Sequence, residues 1–197
     1  ASVNAKLDRL EHAKMVILQM ASVIGVTFPV ELLCLVLSKQ EENLNNQDTV
    51  EQHLDGLVQQ KVLIKDSHSE NYTFKNTIVQ EVVYAQMLFS KKRTVHQLIA
   101  EWFEAQMHSS NNAQNTFTSF ESTLAHHYRM AENIDKALYF FDKAGQTAAS
   151  NYANDEAIYL FSEAIDIIQT KKAQSSSPLD AKDMRRLIFW ERNLGES

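Results

Sequence analysis

The stretch "KALYFFDKAG", residues 136–145, is followed by "EAIYLFSEAI", residues 156–165. Aligned on Ala137 and Ala157, the two decamers place Phe141 with Phe161 and Ala144 with Ala164, so A-x3-F-x2-A recurs after twenty residues. On a helix, residues at these spacings share one face. Small residues on that face let a neighbouring helix approach closely, and phenylalanines fill the space beside them. The pattern encodes packing, not chemistry.

The tetratricopeptide pattern, W-x2-L-G-x2-Y and then A-x3-F-x2-A, accounts for the surroundings. Upstream, "ESTLAHHY" supplies Leu124, Ala125 and Tyr128, with Glu121 at the Trp position, and Ala137 stands nine residues after Tyr128. The same offsets counted back from Ala157 put Ala144 and Gly145 at the L-G position and Ala148 at the Tyr position. The helix over 135–151 thus closes one repeat and opens the next, which explains an offset shorter than the usual repeat of about 34. Arrays of this kind present extended concave surfaces to partners.

Composition agrees with helices. Four Gly and two Pro in 197 residues leave few breakers, and the length holds one large or two small domains. A net charge of −6 argues against nucleic acid as a partner, because phosphate neutralisation needs a basic surface. The single cysteine, Cys34 in "VELLCLVL", reads as a small buried hydrophobe; the lack of any intrachain disulfide suits a cytoplasmic location. No apolar run approaches the ~20 residues of a membrane span. The N-terminal "ASVNAKLDRLEHAK" has no secretory apolar stretch, and its lack of Met suggests a piece of a longer chain.

Along the chain, "KLDRLEHAKMVILQMASVIG" carries a helical stripe at positions 7, 10, 13, 17, 18, 21 and 24, with Gly25 placed to end it. "FPVELLCLVL" reads as a deeply buried helix starting at Pro29, and "SKQEENLNNQ" as a polar loop. Asp48 or Thr49 is the expected cap of a helix whose Val50, Leu54, Leu57 and Val58 share a face. "VLIKD" and "NYTFK" around "SHSE" predict a hairpin. In "TIVQEVVYAQML", Ile78, Val82 and Ala85 align, and helix continues through "KKRTVHQLIAEWFEAQM".

The expected fold is mainly α. A winged-helix domain with a small β-hairpin wing covers 1–107, a linker 108–116, and a tetratricopeptide-like α-helical array 117–197. In the array, Leu124, Ala125, Tyr128, Ala137, Phe141, Ala144, Gly145, Ala157, Phe161 and Ala164 are the repeat-packing positions.

Four motifs and the array, over roughly residues 7–170, carry a resemblance to a known family. They are A-x-x-I-G-x-x-F at Ala21, Ile24, Gly25 and Phe28, and L-x-x-L-V-x-x-x-L-L at Leu54, Leu57, Val58, Val62 and Leu63. Then come "YTFKNTIVQEVVY", with Phe74, Gln80, Glu81 and Tyr84, and the basic motif at Arg93, His96, Ile99, Ala100 and Glu104. In this order they resemble the winged-helix and tetratricopeptide-like region that follows the ATPase module of class III adenylate and guanylate cyclase-type proteins. Related STAND and AAA signalling ATPases, the maltose-regulator type included, share it.

The resemblance implies a non-catalytic regulatory and protein-interaction module, whose partners are other proteins and the parent's own ATPase domain. No cofactor is expected within these residues; ATP belongs to the parent's ATPase domain. Lys75, Asn76 and Gln80, with Arg93 and His96, are the implied interdomain residues. Asn76 stands where the family usually has a histidine; in related switch ATPases a winged-helix histidine reaches the nucleotide phosphate, and if that role belongs to this position the asparagine departs from it. Two other readings stay open: part of an ATP-dependent transcription regulator, and a free-standing helical-repeat scaffold.

No catalytic or metal site is expected. The glycines at 25, 56, 145 and 195 are isolated and no phosphate-loop motif is present. His126 and His127 point about 100° apart on a helix and have no ligand at the i, i+4 spacing. The would-be DNA-reading helix carries Asp48, Glu51 and Asp55, the wrong charge for a groove. Trp102, Phe103, Phe189 and Trp190 read as packing residues, the last two partly exposed.

Overall fold

In the computed structural model, which describes residue 7 and residues 10–109, 117–174 and 181–195, the chain is mainly helical with one small antiparallel sheet. It divides into two units, 1–99 and 100–197. From residue 110 onward the expected linker lies outside the described residues, while His108 and Ser109 end a helix.

In the first unit, α1 (His12–Ile24) follows an extended Glu11, which interrupts the continuous helix expected from residue 7, while Leu7 itself is helical and buried. Gly25, at φ 149°, closes α1 with an N–H to the Ala21 carbonyl, a backbone angle that glycine adopts without strain. The chain then enters β1 (Thr27–Pro29), a strand that the sequence does not predict ahead of the helix start at Pro29. Three residues show no period of their own; β1 exists because β3 (Asn71–Phe74) pairs with it, Phe28 opposite Tyr72. Phe28 is fully buried, its ring 5.8 Å from that of Phe74.

Pro29 is the N-cap of α2 (Val30–Gln40), which buries Val30, Leu32, Leu33, Val36 and Leu37. Cys34 is half-buried, not buried as expected, because it turns off that face. Inside the expected polar loop, a 3-10 turn at Glu42–Leu44 buries Leu44. Neither Asp48 nor Thr49 caps α3 (Gln47–Gln59): the side chain of Asn46 accepts the Asp48 N–H at 2.9 Å. The hairpin forms as read, β2 (Leu63–Lys65) pairing with β3, and the sheet order is β1-β3-β2.

The next helix corrects the expected face. In α4 (Thr77–Ala85) the buried residue is Val83, on the side packed against α1, while Ile78 is 54% exposed and Ala85 is exposed too. Apolar residues occupy both sides of this helix, so periodicity alone could not choose between them. α5 follows (Phe89–Ser109).

The second unit packs α6 (Phe117–Met130) on α7 (Ile134–Ser150), α7 on α8 (Asn154–Gln174) and α8 on α9 (Ala181–Gly195). All ten repeat-packing residues are buried. A β-carbon on Gly145 would lie 2.6 Å from the Phe161 ring, closer than atoms can come, so the Phe161 ring on α8 sits directly over Gly145 on α7. Glu121, at the Trp position, is buried with Lys143 at 2.7 Å and Thr147 at 3.3 Å. Trp190 is fully buried and donates to Asp142 at 2.6 Å, whereas Phe189 is 43% exposed.

The twenty-residue recurrence extends to the backbone of the turns. After α6, the N–H groups of Ala131, Glu132 and Asn133 bond the carbonyls of His127, Arg129 and Tyr128. After α7, those of Asn151, Tyr152 and Ala153 bond Thr147, Ala149 and Ala148, the same connections shifted by twenty. Each is a Schellman closure with a left-handed residue, Glu132 at φ 57° and Tyr152 at φ 59°. α3 closes the same way at Lys61, φ 56°, with Val62 bonded to Leu57.

Two substitutions test this packing. Gly145→Ala should destabilise the chain by about 1–3 kcal/mol, the usual cost of overpacking a tight core, measured by urea unfolding. Tyr152 is 90% exposed and loses nothing by removal. Tyr152→Gly should therefore stabilise by about 1 kcal/mol, through relief of a left-handed side-chain conformation.

Candidate functional site

The residues singled out at the β3–α4 corner serve the scaffold first. Asn76 is the N-cap of α4, its side-chain oxygen accepting the Ile78 N–H at 2.8 Å. Gln80, one turn on, donates to the Ser22 carbonyl at 2.7 Å and ties α4 to α1. Lys75 is exposed, while its backbone N–H bonds the Val62 carbonyl at 3.0 Å and seats the hairpin. Sequence adjacency and one helix turn bring these three together.

His96 lies on the following helix, α5. It is buried, with Nε2 3.1 Å from the Tyr84 hydroxyl, joining α5 to α4. Lys92 covers the Tyr84 ring at 4.3 Å, and burial pushes the Tyr84 phenol above its ordinary pKa. Arg93 is exposed, and Lys91 pairs with Glu41 at 2.5 Å. In the basic run 91–93, Lys91 and Lys92 are therefore engaged with Glu41 and Tyr84.

Beside α3, the hairpin's lysine and tyrosine face a carboxylate of the helix. Lys65 and the Tyr72 hydroxyl both turn to Asp55, at 3.9 and 3.4 Å, and the Lys65 ammonium lies over the Tyr72 ring at 5.3 Å. Burial, helped by Glu51, pushes the Cys34 thiol pKa up, the reverse of what a reactive cysteine needs.

The second unit holds polar networks that no motif announced. Tyr128 donates to Glu104, and Lys136 bonds the same carboxylate at 2.7 Å while covering the Tyr128 ring at 4.8 Å. Arg129 forks between Glu163 and Asp166, the latter at 2.7 Å. Beside it, Ile134, Ile167, Thr170 and Lys171 line an open groove of about 450 Å³. Lys171 also holds the buried Asp183 at 2.7 Å. Each pair joins two different helices, so no spacing within one helix could reveal it. His127 is buried and stacked on Phe103.

Among the described residues no group of three or more His, Cys, Asp or Glu side chains is arranged to hold a metal ion. No helix among them is long and apolar enough to cross a membrane. Comparison with protein-family models, with curated proteins and with solved structures finds no match to this chain.

The tyrosine network gives a pH signature. Burial first, and then the hydrogen bond to Glu104, push the Tyr128 phenol from 10.0 up to about 12. The unfolded chain then loses this proton before the folded one, so stability is intact below pH 10 and falls from there to about pH 12. Lys136, raised chiefly by its bond to Glu104, works in the same direction. Tyr128→Phe should flatten the alkaline fall in melting temperature over this window, read by circular dichroism.

Proposed function

We propose that this chain is a non-catalytic regulatory and protein-interaction module of a larger signalling ATPase, of the nucleotide cyclase-like or STAND type. Its first unit is a winged helix and its second a tetratricopeptide-like array. The carrying observation is the joint order: α1-β1-α2-α3-β2-β3, with the hairpin as wing, followed by helices whose turns repeat after twenty residues. A helix-turn-helix with a β wing has that element order, and helical repeats reuse one turn geometry.

In this reading the winged helix packs on the parent's ATPase domain around Lys75 and Asn76 and shifts with its nucleotide state. The array binds a protein partner that prefers one of the two states, since only differential affinity biases such an equilibrium. The protein acts in the cytoplasm and carries no cofactor of its own; ATP is bound by the ATPase domain. The winged helix is a packing element and not a DNA reader, because Asp48 and Asp55 are exposed on α3.

Two experiments test this. Reading the gene upstream of the Ala1 codon should reveal a phosphate-loop motif; a gene without one overturns the ATPase reading. In the full-length product, a photo-crosslinker at Asn76 should capture the ATPase domain with one nucleotide state and not the other. Equal capture with ATP and ADP would sink the switch.

A further inference from the structure

α4 presents a second apolar face that nothing among the described residues of its unit covers. Val83 is buried, on the side of the helix that packs against α1. The opposite stripe, Ile78, Val82 and Ala85 at i, i+4 and i+7, is 54% exposed at Ile78, half-buried at Val82 and exposed at Ala85. At the C-terminal end of the helix the chain continues into Leu88, 74% exposed, and Phe89, 62% exposed. A short helix with water on so much apolar surface is the signature of an interaction site. Three-to-four-residue spacing is what a second helix packs against.

The charges say which kind of helix. Lys75 precedes the stripe, Lys92 and Arg93 follow it, and Glu81 lies on its flank. Cations therefore mark both ends. A second copy of this chain laid on the same face sets cations against cations whether the helices run parallel or antiparallel, which disfavours self-association. We propose that this face docks an amphipathic protein helix of about three turns, apolar in the middle and acidic at both ends.

The inference stands on exposure and charge alone. It holds whether or not the partner belongs to an ATPase, so its test and the gene reading above fail independently. The full chain is panned against displayed random peptides of roughly four helical turns, about 14 residues. Counter-selection uses the Ile78→Asp/Phe89→Asp variant, whose changes fall on exposed positions; an unchanged melting curve verifies its fold. The expected result is enrichment of sequences with apolar residues at i, i+4 and i+7 and Asp or Glu at both ends.

Charge reversal by Lys75→Glu with Arg93→Glu should weaken the enriched peptides about tenfold, the effect expected of lost charge pairs at an interface. No enrichment dependent on the face, or enrichment of basic sequences, overturns the proposal. So does binding of the chain to phosphatidylserine vesicles that the Ile78→Asp/Phe89→Asp change abolishes, which would make the face a membrane contact.

Discussion

A chain with four glycines must end more helices than it has glycines to end them with. A helix leaves its last carbonyls without partners, and the economical closure puts one residue in the left-handed region, where a side chain costs about 1–2 kcal/mol. This protein accepts that cost at Lys61, Glu132 and Tyr152. The bonds gained hold the chain reversals at fixed geometry: one feeds the hairpin, the other two set the joints of the repeat. The single glycine among the helix ends with a positive φ, Gly25, is used where the chain must leave a helix for a strand. Glycine's smallness goes instead to Gly145, where Phe161 needs the room.

With the joints fixed, polar side chains become the ties between elements. Gln80 joins α4 to α1, His96 and Tyr84 join α5 to α4, and the Glu104 carboxylate gathers Tyr128 and Lys136. Buried polar groups are tolerable only when satisfied, and every buried side-chain nitrogen or oxygen described has a partner. Residues that look functional by type, such as a buried histidine or a glutamate in place of tryptophan, are thereby engaged in holding the fold. What remains for partners is surface: the outer stripe of α4 and the groove beside Arg129.

The candidate site was legible only in part. Asn76 and Gln80 fall together because they are neighbours on one helix start, but their bonds, one to the helix's own backbone and one to Ser22, depend on chain direction and on an element some sixty residues away. The Tyr128, Arg129 and Lys171 pairings lie wholly beyond local pattern.

By itself the sequence determined the helical class, the hairpin, the positions of the second unit's helices and the residues that pack them. Each rests on a short-range period, on scarce breakers or on a repeated spacing, and such signals need no distant partner. Tertiary structure alone decided that Thr27–Pro29 is a strand, that α4 buries Val83 and not Ile78, and that Trp190 is buried while Phe189 is not. A three-residue strand needs a partner to exist, and a helix apolar on two sides needs a neighbour to choose between them.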